Sequence, residues 1–462
     1  LWRWIFFHAS NVISNMNPRT CRILAFALLL CGSAHAQLRL PALGPALGHA
    51  VSPITQSPLV QRLQPIVDTV LAPVELATSR LDAVGERARE HPRELDRDRL
   101  GELIVRAELL AQPSSPAARE ALLAAGFTAL REDALAGLDA VLLVLRAPVG
   151  VDLAEALARA RAIDPDGAYD FHHVYGSSGS VEAPAQPASM AVVRTMGTMS
   201  QGRASGAPLQ VGLIDSGVDV RHPALRRVTV RTHGCADEGH PAVHGTAVAS
   251  LMVGEYDGFH SALPRATLYA ADVYCDEPTG GSVEAIAREL AWMAQRRVAV
   301  VNVSLVGPAN QILQRIVAHA VAQGMLIVAA VGNDGPAAPP LYPASWPGVV
   351  GVGAVDGQLR LLPEGARGPQ VMFVAPGADM AAAAAGTRQF APVRGTSFAA
   401  PLVAGLLAAG YQQARPDGGA AAIARLAASA HDLPRPAPRD GIGRGLVAEG
   451  LRTAPESVSL AR

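Results

Sequence analysis

Five short runs of β-branched and other apolar residues recur in the second half of the chain: Val211–Ile214, Thr267–Val273, Val298–Ser304, Leu326–Val331 and Val349–Val355. Segments of helical pattern separate them. Apolar runs without polar alternation read as strands buried on both faces, and strands alternating with helices read as a parallel sheet covered by helices. This half is therefore expected to be an α/β domain, a doubly wound parallel sheet with helices on both faces. In such sheets chemistry collects beyond the carboxyl ends of the strands, so the residues just after these runs are the ones to inspect.

A different pattern precedes it. Strand Leu103–Leu109, helix Ala117–Ala125, strand Thr128–Asp133, strand Ala140–Arg146, helix Leu153–Ile163 and strand Ala168–Val174 follow in order. That βαββαβ order predicts a small α+β, ferredoxin-like domain over 99–175 with two helices on one sheet face. Gly176–Ser180 and Pro184–Ala188 have linker composition, which puts a boundary over 176–192. Upstream, 37–57 read as a Pro/Gly/Ser/Ala linker. Residues 58–98 read as helical, with Leu63, Ile66, Val70 and Leu71 as apolar positions and Arg87–Arg99 as a solvated charged face. Residues 1–36 read as a secretory signal: Arg19 and Arg22 precede the run Ile23–Leu30, Ala34 and Ala36 supply a cleavage site, and Met16 is a candidate start. The run is shorter than the roughly 20 apolar residues a spanning helix needs, so no integral membrane span is expected after cleavage.

Composition removes several function classes. The 462 residues leave room for two or three folded units, and 50% hydrophobic content suits packed cores. The 39 cationic side chains against 40 acidic ones give a net charge of −1, which favours neither nucleic acid nor an anionic membrane. All of those cations are arginine. Without lysine, a Gly-Lys-Ser/Thr phosphate loop, a Schiff-base lysine and a Ser/Lys dyad are impossible. Cys21 and Cys31 would leave with the signal, so Cys235 and Cys275 remain as a candidate disulfide in an oxidising compartment, two free thiols being the alternative.

Three motifs carry groups suited to catalysis. Leu213-Ile-Asp215-Ser-Gly-Val-Asp219 puts an acid at a strand end; alone, such an acid binds metal, binds ribose or orients a histidine. His244-Gly-Thr-Ala-Val-Ala-Ser250 opens a small-residue helix and equally suits an ordinary helix start. Arg394-Gly-Thr-Ser397-Phe-Ala-Ala-Pro-Leu-Val-Ala-Gly405 places a serine where serines most often cap helices. Taken together they change meaning. A serine hydroxyl needs a histidine to take its proton, and the histidine needs a carboxylate to fix its tautomer. Leu326-Ile-Val-Ala-Ala-Val-Gly-Asn333 adds a strand-end amide able to stabilise an oxyanion.

On these four stretches the chain resembles the subtilisin-like serine peptidases, the subtilases (peptidase family S8). Its Asp, His, Ser order is theirs. Asn302-Val-Ser-Leu-Val-Gly-Pro308 and Gly443-Arg-Gly-Leu-Val447 are also similar to family segments, and the likeness runs over about 193–455. The resemblance implies a subtilisin-like catalytic domain over 193–455 and a propeptide over 99–175. It implies Ser397 as nucleophile, His244 as general base and then acid, Asp215 as its orienter and Asn333 as oxyanion donor beside the Ser397 N–H, with Thr396 assisting. Ser304, Leu305 and Val306, with Ala330, Val331 and Gly332, would border the pocket for the residue before the scissile bond. Val306 stands where the family usually has glycine, so smaller residues are expected there.

The segment Gly254–Pro264 lacks the family's Asn-rich calcium loop, and Glu255, Tyr256 and Asp257 read as a polar turn; no metal and no cofactor are expected. His233, Cys235, Asp237, His240 and His244 crowd like zinc ligands, but Gly239 and Pro241 oppose the helix that would align them. His222 before Pro223 reads as structural, and Asn302-Val-Ser304 is a glycosylation sequon inside an apolar strand. The expectation is a secreted or periplasmic, monomeric endopeptidase acting on protein or peptide. Its own propeptide would serve as intramolecular inhibitor, with Tyr175-Gly176 as candidate junction. The alternative is a latent, self-inhibited protein that acts as a protein-binding module.

Overall fold

The computed structural model describes residues 80–181, 209–235, 239–434, 437 and 439–458. The signal, the 37–57 linker, residues 58–79 and most of the 176–192 linker lie outside the described residues. So does the start of the 193–455 region. Residues 80–90 are helical, but the helical reading of 58–98 fails beyond them, because Leu95–Arg97 forms a strand, β1, paired antiparallel with Leu103–Val105. Leu95 is fully buried there, and this tertiary contact overrides the charged helical pattern around it.

The small domain follows the order expected of it: β2 (Leu103–Gln112), α1 (Pro116–Ala124), β3 (Thr128–Leu135), β4 (Ala140–Arg146), α2 (Leu153–Ile163) and β5 (Ala168–His173). Its antiparallel sheet runs β3-β4-β2-β5, with β1 against the start of β2. Local chemistry fixes the helix starts. Ser115 caps α1 ahead of Pro116, and the Asp152 carboxylate accepts from the Ala154 and Glu155 N–H groups of α2. Alternation along β2 and β4 splits the sheet between two cores. Leu109, Ala111, Leu143 and Leu145 face α1 and α2, while Leu110, Leu142 and Val144 face the large domain.

The large domain is built on a seven-stranded parallel sheet. Its strands are β8 (Gln210–Asp215), β9 (Val230–His233), β10 (Thr267–Asp272), β11 (Val300–Val303), β13 (Leu326–Ala330), β14 (Val350–Val355) and β15 (Val371–Pro376). They lie in the order β15-β14-β13-β11-β8-β10-β9. Shorter strands stand apart from this sheet: β6 (Gly176–Ser177) pairs with β12 (Leu305–Val306), and β7 (Ser180–Val181) joins β17 (Phe390–Arg394), which also pairs with β16 (Met380–Ala383). Helices α3 (Val243–Val253) and α6 (Thr396–Gly410) bury one face of the main sheet, and α4 (Val283–Gln295) and α5 (Gln311–Ala322) the other. Chain order places β10 and β11 on opposite sides of β8, which makes the carboxyl end of β8 a switch point. Strand β9 carries no apolar run, being Val-Arg-Thr-His at the sheet edge, and β16 is mostly alanine, so neither declares itself in sequence.

The two domains meet through the second face of the small sheet and the starts of α4 and α5. Leu110, Leu142 and Val144 share a core with Val283, Ile286, Ile312 and Leu313. Asn310 caps α5 through Oδ1 while its Nδ2 donates to the Phe171 carbonyl, and the Gln311 N–H donates to Asp170 at 2.6 Å. Arg131 of β3 donates to Glu284 of α4 and to Glu108 of β2, and His172 Nδ1 lies 2.9 Å from Glu108. Burial would raise the Glu108 carboxyl, but His172 and Arg131 outweigh it and hold its pKa at about 2, below the ordinary 4.5.

A carboxyl depressed in the folded state contributes stability that is complete above its unfolded pKa and is lost as pH falls through the folded value. Glu108→Gln is therefore expected to remove about 1–2 kcal/mol of small-domain stability at pH 7, less than the full shift implies because solvent screens the pair. The difference from wild type should fade between about pH 4.5 and pH 2. Thermal unfolding across that range, with Ser397→Ala in both proteins, checks it; a difference independent of pH contradicts it.

Candidate active site

Strand β8 delivers Asp215 to the switch point with no exposed surface. A buried carboxylate must be paired. Asp215 accepts from the Ser216 N–H at 2.6 Å and meets His244 Nδ1 at 2.9 and 3.0 Å from its two oxygens. His244 sits in the first turn of α3, and that turn is tied to the Asp215 loop by the Gly245 N–H donating to Ser216 Oγ at 3.0 Å. With Nδ1–H turned to Asp215, the neutral ring presents a lone pair at Nε2. Burial works against the imidazolium, but the Asp215 charge and hydrogen bond, with the backbone of Ser178, outweigh it and raise the His244 pKa above the ordinary 6.5. Nε2 is buried without completing a hydrogen bond.

Ser397 and Thr396 open α6 behind Gly395, whose φ of +138° is a conformation that suits glycine. Ser397 Oγ is turned to the Ser304 carbonyl at 3.4 Å, and the Ser397 carbonyl accepts from Ser304 Oγ at 3.1 Å, which in turn accepts from Asn302 at 2.8 Å. Asn333 follows β13. Its Oδ1 accepts from the Thr396 N–H at 3.0 Å, while Thr396 Oγ1 accepts from the Gly332 N–H at 3.2 Å. These two bonds pin the amide against the start of α6 and leave Nδ2 free to donate to Ser178 Oγ at 2.8 Å.

The chain's own segment 174–181 runs through this place, so 176–181, read as linker from composition, is ordered by pairing. Val174 bridges Ser282, the Tyr175 N–H donates to the Gly281 carbonyl, Gly176 and Ser177 pair with Val306 and Leu305, and Ser180 pairs with Arg394. The part of this segment that meets Asn333 is Ser178, three residues beyond Tyr175 of the candidate junction Tyr175-Gly176. Tyr175 is fully buried to one side, its hydroxyl donating to the Pro308 carbonyl at 2.6 Å. Its ring lies flat on Gly307, where an added Cβ would come within 2.6 Å of ring carbons. Gly179, next to Ser178, packs on Gly395. The burial of Tyr175 against Gly307 was missed in the sequence; a tyrosine immediately before a Gly/Ser run, in a chain with 4% aromatic residues, was the available signal.

Ser304, Leu305, Val306, Ala330 and Val331 are buried around this segment. Leu341, not singled out from sequence, reaches across to Gly332, where an added Cβ would lie 2.6 Å from Leu341 Cδ1. Val306 faces Gly176, two residues before Ser178, so it borders the strand more than the side chain of Ser178.

The other residues singled out from sequence have separate partners. Cys235 and Cys275 are joined in a disulfide, their Cα atoms 5.0 Å apart. His233 bonds Glu289 and stacks on Trp292, His244 bonds Asp215, and Asp237 lies outside the described residues. His222 is buried between the Gln389 carbonyl and the Ala224 N–H, and burial lowers its pKa. Asn302 is buried in β11, and Glu255 pairs with Arg265. Among the described residues no helix is long and apolar enough to cross a membrane.

A family model described as the subtilase family matches residues 206–445. Subtilisin E of Bacillus subtilis (strain 168) is 30% identical over 236 residues, covering 49% of this chain and 61% of that protein. Subtilisin of Bacillus pumilus is 30% identical over the same length, covering 49% of this chain and 84% of that protein. The thermophilic serine proteinase of Bacillus sp. (strain AK1) is 33% identical over 214 residues, 45% of this chain and 53% of that protein. The chain spans 61% of the length of the first relatives it matches. Fervidolysin from Fervidobacterium pennivorans, a keratinolytic enzyme related to subtilisin, superposes with a TM-score of 0.60 at 20% identity, covering 79% of this chain and 62% of that one; this likeness concerns the fold.

The disulfide closes a 40-residue separation and joins the loops after β9 and β10, the neighbour of β8. Replacing Cys235 and Cys275 by serine is expected to destabilise the protein by roughly 2–4 kcal/mol. Denaturant unfolding of the Ser397→Ala protein with and without the cysteines measures it, and a loss below about 0.5 kcal/mol contradicts a structural role.

Proposed function

Because this chain belongs to the subtilase family, we propose that it is a serine-type endopeptidase made as a self-processing zymogen, in which 99–178 acts as propeptide and the Ser178–Gly179 bond is cut in place of Tyr175–Gly176. The single observation carrying this reading is that Ser178 bonds Asn333 while its chain pairs with the strands on either side. Edge-strand pairing fixes the register of an extended peptide, and Tyr175 anchors that register from its buried pocket.

In the proposed reaction Ser397 Oγ turns from the Ser304 carbonyl to His244 Nε2, gives it the proton and attacks the Ser178 carbonyl carbon. Asn333 Nδ2 exchanges the Ser178 hydroxyl for the developing oxyanion, which the Ser397 N–H also meets. His244 then protonates the Gly179 nitrogen as the C–N bond breaks, leaving an acyl-enzyme on Ser397. Water, deprotonated by His244, hydrolyses that ester and restores the serine. Asp215 remains ionised and holds the ring. Secretion is proposed from the leader-like start and the disulfide, which suits an oxidising compartment. Substrates with a small residue before the cut are proposed because Leu341 closes on Gly332 at the pocket wall and the chain's own residue there is serine.

The latent reading has one observation in its favour: Ser397 Oγ is directed to Ser304 and not to His244. Intact mass with a fluorophosphonate probe separates the two. Wild type is expected to lose everything through Ser178 and take the label, while Ser397→Ala does neither. Full-length, unlabelled wild type establishes latency, and a new terminus at Gly176 restores the earlier junction.

On peptide substrates, Asn333→Ala is expected to lower kcat by roughly 10²–10³-fold with little change in KM. The base must be neutral, so kcat/KM should fall on acidification through a pKa above 6.5, the direction in which His244 is shifted. Peptides differing only before the cut should be cleaved faster with Ala or Ser than with Phe; the reverse order contradicts the pocket assignment.

A further inference from the structure

The charged stretch Arg87–Arg99 was expected to be a solvated face, yet Arg87, together with Arg80 of the same helical stretch 80–90, reaches the large domain. Arg80 Nε donates to Asp334 Oδ2 at 2.6 Å, and its other nitrogens form a two-point pair with Glu102 of the small domain at 2.7 and 2.6 Å. Arg87 Nη2 donates to the carbonyls of Pro278 and Gly280 at 2.9 and 3.0 Å. These partners mark the two ends of the occupied cleft. Asp334 follows Asn333, which bonds Ser178; Gly280 precedes Gly281, which bonds Tyr175. Seven residues of α-helix advance about 10 Å, and the three residues from Tyr175 to Ser178, extended, cover about the same distance. The helix therefore runs from the Asp334 side to the Gly280 side, opposite in direction to Tyr175–Ser178. Its Val84 and Ala88 pack on Leu95, Leu103, Val105 and Val174 of the small domain, so 80, 84, 87 and 88 form one stripe that faces both partners.

We propose that helix 80–90 is a strap whose interaction surface is the rim formed by Asp334 and the Pro278–Gly280 loop, and that it holds the small domain on the cleft after the Ser178–Gly179 bond is cut. This rests on the propeptide reading of 99–178 and deepens it. Cutting one peptide bond removes the covalent tie but none of these contacts. Arg80 is the central piece, because one guanidinium joins carboxylates from both domains, each side chain only 12% exposed. Breaking such a pair leaves a charge under cover, which is costlier than losing a surface pair. The rim accepts a strap of defined chemistry: one carboxylate and two carbonyls at helical spacing fit two arginines two turns apart and offer a neutral helix nothing.

The test uses the full chain as Ser397→Ala, in which no cut occurs, so that protection of the covered segment reports the strap alone. Hydrogen exchange of 174–181 is compared among that protein, Arg80→Ala/Arg87→Ala, Asp334→Ala and Arg89→Ala, an exposed position on the same helix. Exchange is expected to rise at least tenfold in the double variant and several-fold in Asp334→Ala, and to stay unchanged in Arg89→Ala. With Ser397 restored, the cut small domain should co-elute with the large one in wild type and separate in the double variant, shortening the lag before peptide hydrolysis by about tenfold. Exchange within twofold of the parent in both the double variant and Asp334→Ala overturns the strap. Because Asp334→Ala leaves the small domain's own sequence intact, a folding defect of the arginine variant does not obscure the answer. A wild-type chain that never cuts itself defeats the peptidase reading separately, and the exchange result still decides the strap.

Discussion

Asp215 has no exposed surface, and an unpaired carboxylate in that position would cost several kcal/mol. The groups that satisfy it lie on different elements: the Ser216 N–H directly after β8, and the imidazole of His244 at the start of α3. Satisfying one charge thus fixes the approach of α3 to the sheet. Helix α6 packs beside α3 in the same core, and its first turn carries Thr396 and Ser397. The positions of Ser397 and His244 descend from this packing. Asn333 is then set by reciprocal hydrogen bonds with that first turn, which need no help from substrate.

The same region explains why the small domain sits where it does. Two strand edges flank the cleft, one near Gly281 and Ser282 and one at Leu305 and Val306, and exposed edges invite a pairing partner. Residues 174–177 supply it as a direct continuation of β5. The small sheet is in turn covered by α4 and α5, so pairing at the edge and burial of Leu110, Leu142 and Val144 support each other. Asn310 and Arg131 add specificity at the seam, each satisfying groups on both domains.

Much of this was legible in the chain. The apolar runs at Val211, Val298, Leu326 and Val349 announced buried parallel strands because strands covered on both faces carry no polar alternation. The βαββαβ order was legible from the succession of strand and helical runs, and the structure adds the caps of its helices, Ser115 with Pro116 and Asp152. Strands β9 and β16 were not, since an edge strand of mixed polarity and a run of alanines owe their conformation to neighbours. The reading of 95–97 as helix failed for a related reason: local charge pattern cannot announce a pairing with Leu103–Val105. Composition also misread 176–181, because a Gly/Ser stretch is flexible only until two strand edges bind it.

By itself the sequence determined which chemical groups exist and in what order: an acid after the first large-domain strand, a histidine and a serine at helix starts, one amide after a strand, and no lysine. Short-range patterning and residue chemistry decide those matters. Only the tertiary structure decided that Ser178 lies against Asn333, that Tyr175 is buried on Gly307, that Leu341 meets Gly332, and that Arg80 joins Glu102 to Asp334. Each depends on residues far apart in sequence meeting within a few ångströms, and such distances are set by how the two domains pack, which no local pattern encodes.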